Sequence, residues 1–75
     1  MSAMSFAAWA ARRRSPSPAE VRAEVWSLGV RHHGEALEGA RRELACHGIA
    51  PERAALLRAC IRSLNRRQRV ADTVR

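Results

Sequence analysis

"GVRHHGEALEG", residues 29–39, decides the fold of this chain. Two adjacent histidines, two glutamates and three glycines stand inside a segment whose flanks both read as helix. A helix that runs through it makes one long element. A helix that stops inside it makes two shorter ones, free to turn their apolar sides to the same core.

Turned at about 100° per residue, Val21, Val25, Leu28 and His32 share one face. Leu37, Ala40 and Leu44 share a face displaced by about 100° from the first, and Trp26, Val30 and His33 lie on that second side. An unbroken helix therefore needs apolar neighbours on two sides. Each interior glycine costs about 1 kcal/mol relative to alanine, so Gly29, Gly34 and Gly39 make a local opening cheap. Glu35 and Glu38 would suit the first turn of a new helix, where the backbone dipole favours negative charge. The expectation is a continuous helix weakened or kinked near Gly34, with a true break as the alternative.

On the N-terminal side, "SPSPAE" (residues 15–20) marks the helix start. Ser17 can cap, Pro18 suits the first helical position, and Glu20 completes a capping box. In the other direction, "CHGIAPE" (residues 46–52) ends one helix and opens the next. Gly48 can take the left-handed conformation, Ile49 can fold back on the last turn, and Pro51 begins a helix that continues through "RAALLRACIRSLNRRQR". In that last helix Leu57, Ile61 and Leu64 form an apolar stripe with Leu56 and Cys60 beside it. Arg58, Arg62, Arg66 and Arg69 follow at i, i+4, i+8 and i+11 as a basic ridge. No strand-like alternation and no internal repeat appears. The reading is all-α: an antiparallel helical hairpin over residues 18–70, three helices if the chain breaks near Gly34. Residues 71–75 read as a tail.

Residues 1–17 read as a basic arm. "MSAMSFAAWAARRR" lacks acids, as an organelle-targeting segment does, but its hydrophobic part precedes its charges. A short amphipathic helix with Phe6 and Trp9 on one side, followed by Arg12, Arg13 and Arg14, is expected instead.

Composition bounds what the chain can be. Seventy-five residues make one small domain, and the 47% hydrophobic content is dominated by alanine, which contributes little buried area. Such a chain often leans on oligomerisation or a partner surface for stability. All 14 basic residues are arginine, a bias that a GC-rich bacterial genome would also produce. Arginine's planar fork suits carboxylates and phosphates. The charge is uneven: +3 over residues 1–17, −1 over 18–50 and +5 over 51–75. Two cysteines are too few for a disulfide framework, so a reduced, cytoplasmic setting is expected.

The chemistry-bearing residues make no assembled site. His32 and His33 point about 100° apart on a helix, and the only pair that either makes at ligand spacing is His32 with Glu35. Cys46–His47 with Cys60 lacks the CxxC spacing of a structural zinc site; no bridge between the cysteines is expected, and both read as small core residues. A helix-turn-helix with its turn at Gly29 would need apolar residues near Glu35 and Glu38, which are charged. No nucleophile–base–orienter set and no phosphate-cradling glycine loop can be found.

These observations predict a non-catalytic protein with no metal or cofactor. It would act as an accessory or regulatory subunit, docking by helix faces on a larger protein complex or on a second copy. Phe6, Trp9, Trp26, Leu37 and Leu57 would be its apolar anchors. The alternative is a sequence-nonspecific RNA- or DNA-binding protein that sets Arg12, Arg13, Arg14, Arg58, Arg62, Arg66 and Arg69 on phosphates. The same arginines would also serve on an acidic partner, and a membrane surface suits them less well.

Overall fold

The capping box sets the first boundary. In the computed structural model, which describes residues 15–74, the Ser17 hydroxyl accepts from the Glu20 amide at 3.1 Å. The Glu20 carboxylate accepts from the Ser17 amide at 2.9 Å. Helix α1 runs from this cap over Pro18–Arg31, α2 over Ala36–Leu44 and α3 over Pro51–Val74. No strand occurs among the described residues, and each helix packs against the other two.

The kinked continuous helix is not what forms. The helix stops at Arg31 and restarts at Ala36, so the three-helix alternative is realised. Its stop has a specific geometry. His33 takes φ 54° and Gly34 φ 90°, both left-handed, and the Gly34 amide donates to the Gly29 carbonyl at 2.7 Å. That six-to-one bond is the closure of a Schellman motif, which normally places glycine at the position His33 occupies. The glycine comes one residue late, and the chain turns on the pair. Histidine tolerates this region better than β-branched residues do.

The break has a packing reason. With it, Leu28 of α1 and Ala40 of α2 both become fully buried against Leu57 and Cys60 of α3. Val21, Val25, Ala36, Leu44, Ile49, Leu56 and Ile61 close around them, half-buried. Two faces displaced on one helix become one face on two helices. The buried residues are few and small, Ala40 and Ala54 among them, so close approach of the backbones substitutes for bulk.

Gly39 is where that approach is tightest. A Cβ built there would overlap the His32 imidazole, so the ring lies flat against bare backbone at the start of α2. The second turn, after Leu44, tightens through a Cys46 amide to Glu43 carbonyl bond of 3.2 Å and passes through Gly48 at φ 76°. Cys46 is exposed there, which corrects its reading as a core residue; Cys60 is fully buried. Helix α3 extends through Val74, so residues expected as a tail are helical. Residues 1–14, with the expected amphipathic helix, lie outside the described residues.

Candidate functional site

Five charged or polar side chains, of which the sequence singles out only His32, meet across all three helices. Arg31 near the end of α1 donates to Glu24 at 2.8 Å and, from Nε, to Glu43 of α2 at 3.1 Å. Arg53 in the first turns of α3 donates to Glu24 at 2.6 Å and to Glu43 at 2.9 Å. His32 Nε2 lies 2.8 Å from Glu43 Oε2 and, facing an ionised carboxylate, must be the donor. Ser27 adds an acceptor for Arg31 at 2.6 Å.

The electrostatics follow from this geometry. Partial burial alone would raise the Glu43 carboxyl. The hydrogen bonds from His32, Arg53 and Arg31 together outweigh it and hold the group down at about 2. The Arg53 bond lowers Glu24 as well, against an opposing contribution from burial. Arg53 and Arg31 are raised, each chiefly by its bond to Glu24. Both carboxylates are thus saturated with donors and far from titrating near neutrality. A general acid or base needs the opposite. This network is a clamp joining α1, α2 and α3.

His32 is engaged by Glu43, not by the Glu35 three residues on. Among the described residues no group of three or more His, Cys, Asp or Glu side chains is placed to hold a metal ion.

The arginines outside the clamp form a second arrangement. A groove of about 360 Å³ runs between the start of α1 and the middle of α3. Arg22 lines one side and Arg62, Arg66 and Arg67 the other, with Pro18 and Ser63 between them and no acidic side chain in the lining. All four arginines are exposed, and none makes an ion pair with another described residue. Glu20, nearby in sequence, accepts from the Ser17 amide and is not part of the groove lining. Arg66 and Arg67 also border a shallower depression floored by Val70 and Ala71, so the basic surface continues along α3. Arg31 and Arg53 are consumed by structure; these four are not.

The expected site residues divide accordingly. Of the basic ridge, Arg62 and Arg66 enter the groove, while Arg58 and Arg69 are exposed on α3 outside its lining. Arg22 and Arg67 join them unannounced, because only the packing of α1 on α3 brings residue 22 beside residue 62.

Trp26 is 74% exposed on the outer face of α1, with Val30 one turn on at 60%. Leu37 is half-buried. Leu57 is fully buried between the helices, which corrects its reading as a partner anchor: no surface of it is left to offer. Phe6, Trp9, Arg12, Arg13 and Arg14 lie outside the described residues. Compared with protein-family models, with curated proteins and with solved structures, the chain matches none.

Proposed function

We propose that this chain is a small, non-catalytic, sequence-nonspecific nucleic-acid-binding protein. The observation that supports it is the groove at the α1–α3 junction, where four arginines that pair with no described residue converge in a lining free of carboxylates. Guanidinium forks suit phosphate oxygens, and neutralising phosphates releases condensed counterions. The groove lining has no Asn, Gln or acidic side chain for base edges, and in this reading its arginines contact phosphates, so affinity without sequence preference is the expected behaviour. Arg58 and Arg69 would widen the basic surface, and the arm of residues 1–17 would add Arg12, Arg13 and Arg14. In this reading α2 and α3 form an antiparallel hairpin with α1 packed across it. The setting is cytoplasmic, where both free thiols stay reduced. Among the described residues, no helix is long and apolar enough to cross a membrane.

Titrating a labelled 20-nucleotide single strand at 50 and 200 mM salt tests this. Four phosphate contacts give a log–log slope of roughly −3, hence an affinity loss of about 50-fold between those salts. No binding at 50 mM would overturn the proposal.

A second reading is favoured by one observation, the exposed Trp26–Val30 pair on α1. Tryptophan is enriched among the residues that dominate protein interfaces. The chain would then be an accessory subunit, docking α1's outer face on a larger protein or a second copy, with Phe6, Trp9 and Leu37 as further anchors. Sedimentation velocity from low to high micromolar concentration addresses the self-association branch. Growth of the species with concentration, abolished by Trp26→Glu, supports it; a monomer throughout removes it.

A further inference from the structure

We infer that the arginine groove takes single-stranded nucleic acid, with a base stacked on Trp26. This rests on the phosphate reading above and narrows it. Arg22 and Trp26 are four residues apart on α1, so their side chains are neighbours on one helix face. Arg22 lines the groove, and Trp26 stands one helical turn beyond it, just outside the lining. The indole is 74% exposed, which leaves most of its aromatic surface to a ligand.

A strand whose phosphates follow Arg22, Arg62, Arg66 and Arg67 would hold its bases within reach of that face. Only an unpaired strand can use it. In a duplex the bases are already stacked on one another, and no aromatic face is free. Alternating guanidinium and aromatic contacts is how proteins hold single strands without reading sequence, because every base has a π-face. A protein ligand fits less well. Trp26 lies on a convex helix surface, so a protein would have to supply a complementary pocket, whereas a base needs only a flat face.

The test uses the full chain carrying Trp9→Phe, which leaves Trp26 as the only tryptophan. Its fluorescence is followed while titrating, at low salt, with a 12-nucleotide uridine strand, a 12-base-pair duplex, an abasic strand of equal length and inorganic polyphosphate. Strong quenching by the uridine strand alone is the expected result; measured by anisotropy of end-labelled ligands, Trp26→Ala weakens that strand roughly tenfold and leaves the duplex unchanged. Arg62→Gln with Arg66→Gln should weaken all four ligands together.

Equal affinity for all four ligands, unchanged by Trp26→Ala, overturns the stacking inference while the phosphate reading survives. Binding of none overturns both. Self-association that Trp26→Ala abolishes overturns the inference as well, by assigning the indole to a protein contact.

Discussion

Gly39→Ala sets two magnitudes against each other. By helix propensity alone the change stabilises the chain by about 1 kcal/mol, because Gly39 lies inside α2. The structure opposes this. The new methyl would overlap the His32 ring near its root, where the imidazole cannot simply swing aside. The ring is also held by its 2.8 Å bond to Glu43. Overpacking of this kind costs about 1–3 kcal/mol, and displacing the ring forfeits a charge-assisted hydrogen bond of about 1.5–3 kcal/mol. The bond is partly open to water, so its loss falls at or below the lower figure.

Net destabilisation of about 1–3 kcal/mol is expected, which for a domain of this size lowers Tm by roughly 5–20 °C. Urea and thermal denaturation followed by circular dichroism at 222 nm measure it. The decisive control is His32→Ala. With the ring gone, Gly39→Ala should become stabilising by about 1 kcal/mol, so the sign of one substitution reverses with the residue facing it. A Gly39→Ala protein more stable than the parent, with His32 present, would refute the packing of the ring on bare backbone.

The left-handed pair at the break makes a companion set. Gly34→Ala meets nothing within 4 Å, yet its φ of 90° should cost about 1 kcal/mol or more, while Gly29→Ala, helical and equally open, should add up to about 1 kcal/mol. His33→Gly should stabilise by about 0.5–1 kcal/mol by relieving its own positive φ; a loss there would contradict the turn geometry.

Acid should loosen the clamp. Glu43 is depressed in the folded chain, so its contribution is complete above about pH 4.5 and is lost as pH falls toward about 2. Full conversion of that shift gives about 3 kcal/mol. With the side chain 26% exposed, about 1–2 kcal/mol is the working figure. Glu43→Gln should flatten the stability profile across that window; an unchanged slope would count against the network. Cys46 should react with a thiol reagent at once and Cys60 only on unfolding, since burial shields its thiol and pushes its pKa up. Equal rates would contradict the placement of Cys60.

Local chemistry made the helix boundaries readable. Ser17, Pro18 and Glu20 start α1 through bonds that span three residues, and Gly48 and Pro51 act over equally short distances. The displacement of two apolar faces across residues 29–39 was also visible, and it already implied strain in a continuous helix. Whether the helix bends or breaks depended on a comparison no local signal contains. Breaking gives up hydrogen bonds at His32–Glu35 and gains the joint burial of Leu28 and Ala40 on α3.

The clamp and the groove were hidden for the same reason. Glu24 meets Arg53 across 29 residues of chain, and Arg22 faces Arg62 only because α1 packs on α3. Tertiary structure also decided which arginines remain available. Arg31 and Arg53 look no different in sequence from Arg22 and Arg62, yet two glutamates neutralise the first pair and, among the described residues, none reaches the second. Helicity, positive charge and the positions of the caps follow from residues close together along the chain. Packing determined which charges hold the fold together and which are left to meet a ligand, because pairing depends on distance in space and the sequence records only distance along the chain.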